Sequence, residues 1–222
     1  MGGGLKVFYM YCHTTSVVDM VHITYVVMIY QLCERFEMLD TILLKHFTSG
    51  GNSAISPQRR QMERIRIIKF IGSQHDKLTE IMEMINRCYS LQVMVYIGVA
   101  FVYYILVFLA IYKYLGGHSE MDRLSFNLIC TFYYAPITIL VIYSGSLIAR
   151  KGKAILKGLH DNINTCNDSD VAAELTYVSQ QIAYQHPVAT CGLFHFDWPL
   201  FYNIIAAIAT YVTLLIQFER MK

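Results

Sequence analysis

Apolar residues gather along the chain into four stretches long enough to cross a bilayer, with periodic polar segments between them. An α-helix needs about 20 largely uncharged residues to span about 30 Å of hydrocarbon. Residues 91–112 and 124–149 contain no Asp, Glu, Lys or Arg. Residues 199–218 contain none either, but place a polar side chain every three or four positions. The first stretch, 7–33, is less apolar and carries Asp19, His13 and His22. From residue 31 to 47 the pattern continues as an amphipathic helix, which the turn-forming run Thr48-Ser49-Gly50-Gly51-Asn52-Ser53 should stop. Ser56-Pro57 reads as an N-cap followed by proline in a first helical turn. Ile65, Ile68, Ile71, Leu78, Ile81 or Met82, Ile85 and Tyr89 then recur at helical spacing into the second stretch. Gly116-Gly117 predicts a short turn, and Pro136 a kink in the third span. Beyond a basic segment and a polar loop over 162–170, Val171, Leu175, Val178 and Ile182 share one face of a helix stopped by Pro187. That helix is too short and polar to cross a membrane. Asp197 with Pro199 opens the last span.

Composition agrees with this pattern and does not extend it. The 222 residues are 55% hydrophobic with mean hydropathy +0.39, above the roughly 45–50% of a soluble domain. The opening residues lack the features of a secretory signal, and Lys6 stands where a myristoylation signal needs Ser or Thr. Cys12, Cys33, Cys88, Cys130, Cys166 and Cys191 form no Cys-x-x-Cys pair, so neither a disulfide framework nor a metal site is expected.

Charge orients the chain. Lys and Arg favour cytoplasmic loops, and of 18 such residues nine lie between Arg35 and Arg87 and four between Arg150 and Lys157. Lys6, Lys113, Arg123, Arg220 and Lys222 remain for the other side. Both long connections are then cytoplasmic and both termini extracellular. The sequon Asn167-Asp168-Ser169 is a check, since a glycan there would reverse this topology. The expected fold class is an all-α membrane protein, four transmembrane helices with cytoplasmic helical extensions. Its segments are the first span (1–33), a cytoplasmic helical connection (34–90), the second span (91–112), an extracellular turn (113–123), the third span (124–149), a cytoplasmic loop and helix (150–198), the last span (199–218) and an extracellular tail (219–222).

The last span carries the most informative chemistry. Asn203, Ala206 or Ala207, Thr210, Thr213 and Gln217 follow steps of three and four and so share one helix face. Inside a bilayer such a stripe must meet another helix or water. Helix packing through small and hydroxyl residues is one account. A pore wall is the other, in which symmetric copies present rings of Thr210, Thr213 and Gln217 to a water file, with Glu219 at the mouth.

The segment TYVTLLIQF, Thr210 to Phe218, resembles the final-helix signature of insect gustatory receptors, with Thr210, Tyr211, Gln217 and Phe218 in the motif positions. The preceding CGLFHFDWPLFYNIIAAIATY resembles that family's run into its seventh helix, with Gly192, Phe194 and Asp197 in place. His75, Leu78, Asn86 and Ser90-Leu91-Gln92 resemble the helix before and within its fifth span. The resemblance covers roughly Val7 to the end and implies the fourth to seventh helices of a chemoreceptor subunit. It implies a plasma-membrane, ligand-gated cation channel of chemosensory neurons. Four identical or related subunits would surround a pore lined by the last helix, with packed cytoplasmic extensions and an external C-terminus. It further implies a small-molecule tastant as ligand and cations as the permeating species. Sugar receptors tend to carry Glu where this chain has Gln217, which points away from that branch. No cofactor, metal, catalytic residue or nucleic-acid partner is expected.

Further side chains invite a ligand-pocket assignment. Asp19 and His22 lie three apart within a span, where ionisable residues are costly; the alternative is an internal ion pair or hydrogen bond that orients the helix. Tyr103, Tyr104, Asn127, Tyr133 and Tyr134 offer stacking faces and polar anchors, although most of the 17 tyrosines must serve packing or the interface. His195 and Asp197 suggest a metal or proton relay, but helix neighbours two apart do not face one another, and capping is the competing role. Trp198 suits a membrane boundary, and Arg59, Arg60, Arg64 and Arg66 form either a headgroup-binding or a solvated face. Two other functions stay open: a non-sensing accessory or dominant-negative fragment of such a channel, and an unrelated multi-pass transporter or membrane enzyme. The last would need paired broken helices, a metal cluster or a nucleophile with its base.

Overall fold

The computed structural model describes residues 2–48, 57–117, 121–166 and 168–221. The turn run after Thr48, the cap at Ser56 and the sequon Asn167 fall outside these residues. Five helices follow in order: α1 (Gly2–Thr48), α2 (Pro57–Leu115), α3 (Met121–Thr165), α4 (Ser169–Tyr184) and α5 (Trp198–Arg220). Among the described residues the only extended pairing is an isolated antiparallel bridge between Thr190 and His195. Four helical stretches are long and apolar enough to cross a membrane: Ser16–Phe47, Gln58–Leu115, Leu124–Thr165 and Trp198–Glu219. The protein is an all-α membrane protein.

Local chemistry fixes the helix ends. Proline needs no backbone partner in a first turn, and α2 starts on Pro57. It ends where Gly117 takes φ +73°, a left-handed conformation that favours glycine. Asp168 caps α4 by accepting from the amides of Asp170 and Val171, and Asp197 caps α5 by accepting from Leu200 N at 3.1 Å. Pro136 sits inside the unbroken helix α3. One boundary differs from expectation: the polar loop predicted from Asn162 begins later, because α3 runs to Thr165. Asn162 Nδ2 donates to Gly158 O at 2.7 Å and Thr165 Oγ1 to Asp161 O at 3.2 Å, so these polar side chains bond back onto their own helix.

The chain divides into two compact units. The first comprises residues 1–27, 88–144 and 190–222, the second 28–87 and 145–189. In the second unit α1 and α3 each bury a seam with steps of three and four: Ile29, Leu32, Phe36, Leu39 and Leu43 in α1, and Ile148, Gly152, Ile155 and Leu159 in α3. Val171, Leu175, Val178 and Ile182 do the same in α4, as do Ile68, Ile71, His75, Thr79, Met82 and Ile85 in α2. A fully buried aliphatic side chain contributes about 1.5–3 kcal/mol, so these seams hold the unit together. All 13 basic residues of the two long connections lie in this unit. The first unit buries Tyr25, Val93, Tyr96, Ile97, Val141 and Phe196, among others.

A candidate ligand cavity and a polar helix face

In the first unit, a cavity of about 600 Å³ opens against α1, α2 and α3. Its apolar walls are Val17, Val18, Val21, Leu91, Val95 and Val99. Its polar groups are His22, Gln92, Tyr96, Tyr133 and Tyr134. Helical spacing puts these side chains on common faces: Val18 and His22 are four apart, as are Leu91 and Val95. Asp19 and His22, close in sequence, do not pair with each other. Tyr133 O–H instead donates to Asp19 Oδ2. His22 Nδ1 lies 2.6 Å from Val18 O, and its ring rests on Tyr96 with centroids 4.2 Å apart.

Tyrosines brace the rest of the site. Tyr96 O–H donates to Tyr134 O at 3.4 Å, and Tyr103 stacks on the Tyr134 ring at 5.1 Å. Tyr104 O–H reaches Thr138 Oγ1 at 3.3 Å, and Thr138 donates in turn to Tyr134 O at 2.9 Å. Tyr103 and Tyr104 thus support the wall from behind, while Asn127 is half-buried and lies off the cavity. Tyr96, only 4% exposed and central to this cluster, does not stand out in the sequence as a pocket residue. A signal for it exists: Tyr89, Tyr96 and Tyr103 recur every seven residues along one face of α2.

Helix α5 is largely uncovered within the first unit, and its polar stripe is uncovered with the rest. Asn203, Thr210, Thr213 and Gln217 are exposed within the first unit. Thr210 donates to Ala206 O at 2.9 Å and Thr213 to Ala209 O at 2.8 Å, so each hydroxyl proton is satisfied within the helix. Their oxygen lone pairs remain on the uncovered face. Tyr211 meets Phe101 edge-on at 5.9 Å yet stays half-exposed, and Phe218 is exposed as well. Glu219 lies 2.8 Å from Lys113 Nζ, which offsets the negative charge expected at that end of the helix. His195 belongs to the tight turn before α5, where Gly192 takes φ +84° and Thr190 Oγ1 donates to Phe194 O at 3.0 Å. Asp197 is the N-cap of α5. Among the described residues no group of three or more His, Cys, Asp or Glu is placed to hold a metal ion.

A family profile described as 7tm chemosensory receptor matches residues 4–222. The chain belongs to that family. Within it, the chain is similar to the putative gustatory receptor 28b of Drosophila melanogaster, 25% identical over 154 residues. That alignment covers 65% of this chain and 32% of the relative, so the chain spans about a third of that receptor's length. For a chemosensory receptor, a cavity walled by aliphatic and tyrosine side chains and a membrane helix with one polar face are the two features with functional potential. Sequence pattern alone leads to the polar face. The cavity needs the fold, because its walls come from three helices far apart in the chain.

Proposed function

We propose that this chemosensory receptor chain is a subunit of a ligand-gated cation channel that detects small molecules. The cavity of the first unit takes the ligand, and copies of α5 from several subunits, four by family resemblance, surround the ion path. The observation that carries this proposal is the uncovered polar face of α5. In hydrocarbon a stripe of Asn203, Thr210, Thr213 and Gln217 must meet water or another helix, and rings of hydroxyl and amide oxygens suit passing cations. The Lys113–Glu219 pair then sits at one mouth of the path and sets its charge. The excess of Lys and Arg in the connections supports a plasma-membrane topology with those connections in the cytoplasm and both termini outside.

The test is ligand-evoked current. A chain carrying Gln217→Ala that still reaches the cell surface passes current with altered conductance or ion selectivity. Unchanged conductance and selectivity assign Gln217 to packing. Absence of any ligand-evoked current from a surface-expressed chain, alone or with a related subunit, overturns the sensing role and leaves a non-sensing accessory subunit.

A further inference from the structure

The cavity of the first unit opens sideways. Val17, Val18, Leu91, Val95 and Val99 line it, yet each is 39–65% exposed. All five lie in helical stretches long and apolar enough to cross a membrane, so the mouth opens at the depth of the hydrocarbon and not into bulk water. Among the polar lining groups, His22 and Tyr96 are buried and closed to an occupant. Tyr133 O–H is committed to Asp19, and the Tyr134 ring is stacked on Tyr103. Gln92 differs: it lines the cavity, it is exposed, and among the described residues no hydrogen bond engages its amide. An occupant can reach it, and an amide both donates and accepts.

The polar anchor sits at one end of an apolar run. Arg87 is the last charge on α2 before Lys113, and Gln92 follows it by five residues. Gln92 therefore lies near the polar boundary of the span, while Val99 is about 10 Å deeper along the same helix. An extended chain advances about 1.2 Å per bond, so about eight to ten carbons reach from one to the other. No Lys, Arg, Asp or Glu lines the cavity, and an ionised group held there would go unpaired. A purely apolar helix laid over the mouth would leave the Gln92 amide unmet.

We infer that the cavity takes an uncharged single-chain amphiphile dissolved in the bilayer, which enters sideways, hydrogen-bonds the Gln92 amide with its polar head and lays its tail along Leu91, Val95 and Val99. This rests on the reading of the cavity as the ligand site and adds the ligand's class and its route. The tail gains little on leaving lipid for an aliphatic wall, so the bond to Gln92 carries the selectivity.

The experiment uses the full chain in phosphatidylcholine nanodiscs and two photoreactive decanols, one with a diazirine beside the hydroxyl and one with it at the tail tip. Mass mapping should place the first label near Gln92 and the second near Val99. At equal mole fraction in the bilayer, 1-decanol should compete about fivefold more strongly than undecane, and decyltrimethylammonium should compete least. Gln92→Leu should erase the preference for the alcohol. Val95→Trp should fill the groove and abolish labelling, while Ile139→Trp, at an exposed position off the cavity, should leave it intact. No label between residues 91 and 99, as a covering helix would give, overturns the inference. So does a reversed order of the two labels, equal competition by alcohol and alkane, a preference that survives Gln92→Leu, or strongest competition by the ammonium. Labelling is read without ion flow, so the two ideas fail separately. A chain that binds the alcohol but passes no current loses the channel role alone, and a conducting chain without groove labelling loses the amphiphile alone.

Discussion

His75 is fully buried in the second unit with neither ring nitrogen hydrogen-bonded, its ring meeting the edge of Phe36 at 5.3 Å. Burial lowers its pKa from 6.5 to about 4, and nearby His186 contributes in the same sense. The unfolded chain therefore binds a proton that the folded site refuses. Stability from this group is complete above pH 6.5 and is lost as pH falls from 6.5 towards 4, by on the order of 3 kcal/mol. His186, itself lowered by burial and by Lys153, acts in the same direction. Thermal unfolding followed by circular dichroism between pH 7.5 and 4 should show this loss, and His75→Leu should flatten it; an unchanged slope would assign it to other groups. At Gly152 the limit is space, because an added Cβ would lie 2.6 Å from Pro187 Cγ. Gly152→Ala should lower stability by about 1–3 kcal/mol, read as a drop in melting temperature with helix content retained. Neither effect is visible in sequence, since His75 stands out there only through family resemblance and Gly152 looks like any loop-flanking glycine.

At the scale of elements, helix starts and seams are legible in the sequence and long-range partners are not. The four-residue rhythm of Val171 to Ile182 and the Asp197-Pro199 start depend on neighbours a few positions away, and both reappear in α4 and α5. The partner of Asp19 lies 114 residues further on, at Tyr133, and no local pattern encodes it. The same holds for Gln61, whose amide donates to Asp168 and Asp170 at 3.0 Å each and so ties the start of α2 to the cap of α4. The end of α3 departs from the sequence expectation because Asn and Thr usually favour loops, while here they bond to carbonyls four residues back. A cap prediction belongs at this scale. Asp197→Ala should cost about 1 kcal/mol, measured as reduced thermal stability, with Asp197→Asn recovering most of it. By contrast Lys113→Ala should change stability little, because half-exposed ion pairs are worth about 0–1 kcal/mol.

At the scale of the whole molecule, membrane class and family are readable because they rest on long apolar runs and on residues clustered near the chain's end. The candidate cavity is readable only in fragments. Asp19, His22, Tyr133 and Tyr134 belong to its neighbourhood, yet Tyr96 at its centre is marked only by its seven-residue spacing from Tyr89 and Tyr103. The central claim is that the polar face of α5 meets water in an ion path. Cysteine scanning of α5 tests it most directly, with a charged thiol reagent applied during ligand-evoked current. Thr210→Cys, Thr213→Cys and Gln217→Cys should each be blocked, while Val212→Cys and Leu215→Cys on other faces should be spared. Block without that periodicity, or block at Leu215 and not at Thr213, would contradict the account.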